Sequence, residues 1–304
     1  MILLNQPIEI AFYGHGKWAL NTLEMLKEKN LIKVARVFSR FPNGDKEIEN
    51  FCKRNNINYL IVENINEYLA NKKNSYDLGI SVSYDQIFKE NSIGFHEKGI
   101  INCHAGLLPD FKGRNILNWA IINNQKYFGI TVHYLDNNID TGDIIAQKNL
   151  EIKFTEDYKD LLLKAYIECP NLVNKALDLI INNNVKLLPQ KNIKEHPIYC
   201  SRRKNGDEII NWNESSLQIY NFIRALVYPG PYAQTSLRSK KILIQKATYI
   251  EKAPIYKDIP GSILRKDNEG ILVKTGDSYI IINEWDCDIL LKTGDRFNCG
   301  TNHC

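Results

Sequence analysis

The chain has 304 residues, 44% of them hydrophobic and 24% charged, with 17 Gly and 10 Pro, ordinary globular proportions that exclude disorder, collagen-like repeats and coiled coil. No apolar run approaches the roughly 18–20 residues that cross a bilayer, and residues 1–30 show no apolar stretch ending in a cleavage site. With seven cysteines in no tight framework, the expectation is a reduced, soluble, cytoplasmic chain without a membrane partner. Lys and Arg exceed Asp and Glu by four, 39 against 35, so a polyanionic partner is allowed but not demanded, and two domains are expected at this length.

Residues 8–13 read as a buried strand, Gly14 and Gly16 as the turn after it, and about 17–30 as a helix with Leu20, Leu23 and Leu26 on one face. Strands follow at 34–38, 59–62, 77–82 and 99–103, with helices near 46–55 and 65–71 between them. That alternation predicts a doubly wound, Rossmann-like α/β domain built on parallel strands. A helix over 114–124, strands at 129–135 and 143–152 and a long helix over 157–181 complete this half, and Asn182–Asn184 end it. From about 198 the pattern changes to one helix, 214–227, and short strands near 232–237, 242–250, 261–266, 270–275 and 278–284. Such spacing predicts a small, mostly β, OB-like barrel or sandwich. The expected domains are 1–190 and 198–304.

Three segments could carry chemistry. Gly14-His-Gly16-Lys17-Trp-Ala19 fits a dinucleotide fingerprint of the G-x-G-x-x-A kind, but Phe38-Ser39-Arg40 supplies no carboxylate for a ribose. A tight turn, or a phosphate held by the helix N-terminus and Lys17, remains open. Ile101-Asn102-Cys103-His104 runs to the carboxyl end of a strand, so Asn102 and His104 share a face and Cys103 takes the other. An amide beside an imidazole can hold a carbonyl oxygen and handle a proton, although His104 could instead tie down the Leu107-Leu-Pro109 turn. Asp140 occupies the turn 137–142, which lacks calcium-loop spacing.

Asn102-x-His104, Leu107-Leu-Pro109, Lys112-Gly-Arg114 and Asp140-x-Gly-Asp-Ile together resemble the formyltransferase superfamily that uses N10-formyltetrahydrofolate, over about residues 8–185. Its members include methionyl-tRNA, glycinamide ribonucleotide and nucleotide-sugar enzymes. The resemblance implies Asn102, His104 and Asp140 as catalytic residues. It implies folate contacts from the loop carrying Tyr84, Gln86, Ile87 and Phe88 and from the loop of Asp136, mostly through backbone groups. Ala105-Gly106 departs from the Ser that many members carry before Leu-Leu-Pro. Residues 201–212, Ile223-Arg-Ala225 and Pro229-Gly-Pro231 are similar to the C-terminal domain shared by the tRNA and sugar enzymes, which disfavours the glycinamide ribonucleotide enzyme.

The tRNA enzyme carries a basic insertion after the second strand, whereas Arg40-Phe-Pro-Asn-Gly-Asp-Lys46 holds no basic run. Residues 198–304 contain 15 Lys and Arg against 12 Asp and Glu, few for phosphate neutralisation. The resemblance therefore implies a nucleotide-linked amino sugar as acceptor, dTDP-4-amino-4,6-dideoxyglucose first, for O-antigen and lipopolysaccharide synthesis. Methionyl-tRNA is the alternative and no nucleic-acid partner is expected. Arg114 and Lys17 are candidates for the diphosphate. No metal is expected, and Cys299, His303 and Cys304 read as a chain end rather than a zinc site. A homodimer interface would fall in the second domain.

Overall fold

A computed structural model describes residues 6–73 and 75–298. The chain divides into two compact units, one of residues 1–113, 128–150 and 163–200, the other of 114–127, 151–162 and 201–304.

The first unit is built on a seven-stranded sheet. In chain order it comprises β1 (Ile8–Gly14), α1 (Gly16–Lys27), β2 (Ile32–Ser39), α2 (Lys46–Arg54), β3 (Asn58–Ile61), α3 (Ile65–Ala70), β4 (Leu78–Val82), α4 (Glu90–Ile93), β5 (Ile100–His104) and β6 (Lys112–Gly113). Then come α5 (Ile116–Ile122), β7 (Tyr127–Tyr134), β8 (Ile144–Glu151), α6 (Tyr158–Ile181) and β9 (Tyr199–Cys200). α5 and the first turn of α6 are grouped with the second unit.

The sheet runs β3-β2-β1-β4-β5-β7-β8. The first five strands are parallel, as the βαβ alternation predicts. β7 then runs antiparallel to β5, which makes the sheet mixed beyond the five parallel strands. Hydrophobic periodicity sets which face a side chain takes but carries no strand direction.

β4 is buried along its whole length, as a central strand covered on both faces requires. One face packs Ala11, Tyr13, Phe38, Ile65, Leu69, Phe88 and Ile100 together. Tyr13 stacks on Phe38 at 4.9 Å and meets Phe88 edge-on at 4.8 Å; each aromatic buried this way contributes roughly 1.5–3 kcal/mol. α2 starts at Asp45, whose Oδ1 accepts from Glu47 N and Ile48 N at 3.0 and 3.1 Å, an N-cap that satisfies two otherwise unpaired donors.

The second unit adds α7 (Ser216–Ala225), β10 (Ala233–Leu237), β11 (Lys240–Thr248), β12 (Ile263–Asp267), β13 (Gly270–Lys274) and β14 (Tyr279–Asp286). The strands form one antiparallel sheet in the order β10-β11-β14-β13-β12, and alternate residues of β10 are buried. Ser215 and Gln218 close a reciprocal cap on α7. Trp212 is fully buried, stacks on Phe297 at 5.4 Å and donates from Nε1 to Thr235 Oγ1 at 3.0 Å. Among the described residues no helix is long and apolar enough to cross a membrane.

Candidate active site

β5 ends at the carboxyl edge of the parallel strands, and its alternation puts Asn102 and His104 on one face. Cys103 takes the opposite face, its Sγ directed at Cys169 O. The antiparallel register of β7 sets His133 opposite Asn102 and Thr131 opposite His104. After β7 the chain turns through residues 135–143, where Asp136 Oδ1 accepts from Asn138 N at 3.1 Å and Thr141 Oγ1 at 2.6 Å. Gly142 passes so close to Tyr134 O that a Cβ there would strike it. The tight turn brings the Asp140 carboxylate back over β5.

Asn102, His104, His133 and Asp140 thereby meet. Asp140 Oδ2 accepts from Gly113 N at 2.9 Å and lies 3.7 Å from His104 Nδ1, while Oδ1 lies 3.7 Å from His133 Nε2. The side chains are 12% (Asp140), 8% (His104) and 0% (His133) exposed.

The carbonyl partners settle the ring tautomers. His133 Nδ1 donates to Tyr134 O at 2.7 Å, so Nε2 is the acceptor that takes an Asn102 Nδ2 hydrogen at 3.2 Å. His104 Nε2 donates to Phe111 O at 2.8 Å, which leaves Nδ1, the nitrogen facing Asp140, as the basic one. Burial lowers the proton affinity of His104, against the opposing pull of Asp140, so the ring is neutral at neutral pH. Burial alone would raise the Asp140 carboxyl, but the attraction of the His104 and His133 rings in their protonated forms and the Gly113 N–H outweigh it and hold it well below the usual carboxylate range. The site is a neutral imidazole base, an ionised carboxylate and an oriented amide with one N–H still available.

The neighbouring turn is pinned by its own hydrogen bonds. Thr131 Oγ1 donates to Gly106 O at 2.7 Å, and Gln147 Nε2 donates to Leu108 O at 2.7 Å and to Thr131 Oγ1 at 2.8 Å. His133, Thr131 and Gln147 were not singled out by the sequence reading. Their signal is strand register, which one sequence does not display.

The other predicted residues are placed less uniformly. In the loop after β4, Ser83 adopts a left-handed backbone, φ 57°. The Gln86 amide is committed to the scaffold, accepting from Ile65 N at 2.7 Å and donating to Val62 O at 2.8 Å. Phe88 is buried and Ile87 is 66% exposed. Tyr84 packs between Tyr13 and Phe88 with its hydroxyl buried and without a hydrogen-bond partner among the described residues.

At the first turn, Asp45 Oδ2 already holds Gly16 N at 2.7 Å. A Cβ on Gly14 would strike Ala19 and Phe12, so the Gly14–Ala19 segment is a close-packed strand-to-helix turn whose helix N-terminus faces a carboxylate, not an open phosphate cradle. Lys17 is exposed beside α2, in a groove of about 540 Å³ with Glu47, Lys53 and Arg54. Arg114 is exposed and follows Gly113 in the chain. Among the described residues no group of three or more His, Cys, Asp or Glu is arranged to hold a metal ion. Cys299, His303 and Cys304 lie outside the described residues.

An amide and an imidazole at the end of β5, met by a carboxylate from the turn after β7, give this α/β domain the groups of an acid–base enzyme site. The particular family follows from comparison with known proteins. The formyl transferase family matches residues 10–168, and the formyl transferase C-terminal domain matches 203–288; the chain belongs to the formyl transferase family. It is similar to methionyl-tRNA formyltransferase of Mycoplasma mycoides, 28% identical over 99% of this chain and 95% of that one. It is also similar to the bifunctional polymyxin resistance protein ArnA of Wigglesworthia glossinidia brevipalpis, 33% identical over 74% of this chain and 34% of that one. Among solved structures, the sugar 3N-formyl transferase WlaRD superposes with a TM-score of 0.70 at 24% identity, over 93% of this chain and 99% of that one. A 4-N formyltransferase from Francisella tularensis gives 0.64 at 23%, over 81% and 98%.

Proposed function

We propose that this chain transfers the formyl group of N10-formyltetrahydrofolate to the amine of a nucleotide-linked amino sugar, with dTDP-4-amino-4,6-dideoxyglucose as the first acceptor to test, in the synthesis of a surface polysaccharide. In this reading residues 1–190 are the catalytic domain and 198–304 an accessory β domain. The observation that carries the transfer is the convergence of Asn102, His104 and Asp140 around an available imidazole nitrogen.

In the reaction the amine nitrogen bonds to the formyl carbon, the bond from that carbon to N10 breaks, and the proton lost by the amine ends on N10. Asn102, fixed through His133, directs its remaining amide N–H at the oxyanion that develops on the formyl oxygen. His104 Nδ1 takes the amine proton, and Asp140 balances the imidazolium so formed. A neutral ring with its Nε2 hydrogen on Phe111 O supports the role of base for His104. Backbone groups of the loop carrying Tyr84, Gln86, Ile87 and Phe88, with the exposed Ile87 side chain and the turn of Asp136, would hold the pterin. Arg114 and Lys17 remain candidates for the diphosphate.

The acceptor is chosen on the β2–α2 connection. It is six residues long, 40–45, and its one cation, Arg40, donates to Ser83 O at 2.6 Å and pairs with Asp85. Charge committed internally offers little to a nucleic-acid backbone. The curated relatives named as methionyl-tRNA formyltransferases favour the second reading, in which methionyl-tRNA is the acceptor. The deciding experiment offers N10-formyltetrahydrofolate with a panel of dTDP-, UDP- and GDP-amino sugars, and separately with methionyl-tRNA. Turnover of an amino sugar supports the first reading, turnover of the tRNA alone replaces it with the second, and turnover of neither overturns both.

A further inference from the structure

Residues 169–202 fall between the two segments that the family matches, yet part of this stretch is built into the site. Leu188 and Ile144 exchange backbone hydrogen bonds at 3.0 Å. Lys194 Nζ pairs with Asp110 Oδ2 at 2.6 Å, and Ile198 N donates to Asp110 Oδ1 at 2.8 Å. β9 then pairs with β6, the two-residue strand whose Gly113 N–H binds Asp140.

Between these attachments lies Gln190, 4% exposed. Its side-chain amide donates to two carbonyls of the catalytic turn, Asp140 O at 2.9 Å and Gly142 O at 2.8 Å. Its own Oε1 is buried and has no hydrogen-bond partner among the described residues. The opposite amide orientation would set that oxygen against the two carbonyls, so the donors fix the assignment. An unpaired buried acceptor is costly, and methionine would fill the same volume without that cost. What the amide supplies and a hydrocarbon chain cannot is the pair of N–H groups on the turn. That turn needs holding, because Asp140 itself adopts a left-handed backbone, φ 53°, which a residue with a side chain takes at a cost.

We infer that Gln190 is a positioning residue for Asp140, clamping the carbonyls of 140 and 142 so that the carboxylate stays on Gly113 N and against the two imidazoles. It touches no reacting atom and acts through the turn. The inference rests on the reading of Asp140 as the partner of His104 in formyl transfer.

The test compares wild type with Gln190→Met by steady-state kinetics, thermal unfolding and ring-nitrogen NMR titration of His104, assigned with a His104 substitution. In Gln190→Met kcat falls about 10–100-fold, the scale of a misplacement near 1 Å, with KM little changed. The His104 titration moves to lower pH, because a released carboxylate supports its proton less well. Wild-type kcat and an unmoved His104 titration, whatever happens to thermal stability, reduce Gln190 to a space-filler and overturn the inference. Should Gln190→Met not fold, Gln190→Asn takes its place: one methylene shorter, it reaches one carbonyl at most, and intermediate losses support the clamp while wild-type values overturn it. The NMR arm needs no substrate. A wild-type chain that turns over nothing therefore sinks the functional reading alone, and an unmoved titration sinks this inference alone.

Discussion

Asn102 on β5 and His133 on β7 stand directly opposite each other across the antiparallel pair, joined by the Asn102 amide and His133 Nε2 at 3.2 Å. The hydrogen bond has a fixed direction, because His133 Nδ1 is spent on Tyr134 O. In the proposed reaction His133 acts through Asn102 by orienting its amide. Asn102→Ala is expected to lower kcat by about 10²–10³, the scale of losing one oxyanion donor. His133→Ala should lower it by less. In the double variant the His133 substitution should add almost nothing, since its effect runs through Asn102. Fully additive losses in a double-mutant cycle would show that His133 has a separate role.

The pH dependence follows from His104. With His104 as the proposed base, which must be neutral to work, kcat/KM should be lost as pH falls through the His104 pKa in the folded enzyme. Burial, the dominant effect, lowers that pKa from the ordinary imidazole value, which places the acid limb below about pH 6.5. Asp140 opposes burial, so Asp140→Asn should lower the plateau and carry the acid limb to still lower pH. A limb that moves upward in this variant would contradict the assignment of Asp140 as the charge that supports the ring.

A second histidine tunes stability away from the site. His96 Nδ1 donates to Ser92 O at 3.0 Å, and Nε2 accepts from Tyr13 OH at 2.9 Å inside the aromatic cluster. Burial lowers its pKa to about 4, with the Ser92 and Ile93 backbone opposing. The folded pKa lies below the unfolded value of about 6.5, so the stabilisation is complete above pH 6.5 and is lost as pH falls towards 4. At about 1.4 kcal/mol per pKa unit, the loss amounts to roughly 3 kcal/mol. Denaturant unfolding at pH 7 and pH 4.5 should register most of it in the wild type and much less in His96→Gln, in proportion to this histidine's share of the acid sensitivity.

Much of this was legible in the sequence, and the rest was hidden for physical reasons. The strands from Ile8–Gly14 to Ile100–His104 and the five of the second unit announce themselves by short apolar runs at regular spacing. Asn102 and His104 declare a shared face because two residues along a strand return to the same side. Asp140 is visible as turn chemistry, but its approach to His104 depends on how β7 lies beside β5. For the same reason His133 looks like any histidine in a strand. Gln190 sits 50 residues beyond Asp140, in a stretch with no periodicity, so no local pattern could link the two. The Gly14–Ala19 fingerprint shows the converse: its spacing suggested a nucleotide, yet Asp45 already occupies the amide that a phosphate would need.

Gly106 packs against the bond that fixes the His104 tautomer. A Cβ at this position would crowd His104 Nε2 and the Phe111 carbonyl oxygen, approaching the latter to 2.6 Å. Those are the two partners of the bond that fixes the His104 tautomer. A side chain here must displace either a backbone carbonyl or the His104 ring, and either movement breaks that bond. Gly106→Val should therefore break the His104–Phe111 bond and free Nε2, so that Nδ1 no longer faces Asp140 as the sole basic nitrogen. We expect kcat to fall by about 10-fold or more, with KM for the folate little affected, because misplacing a reacting group weakens the transition state more than binding. Loss of the Phe111 acceptor should also shift the ring-nitrogen NMR signals of His104 towards a mixture of tautomers. Wild-type kcat with an unchanged tautomer in Gly106→Val would mean that the site accommodates a side chain without displacing the ring or the Phe111 carbonyl.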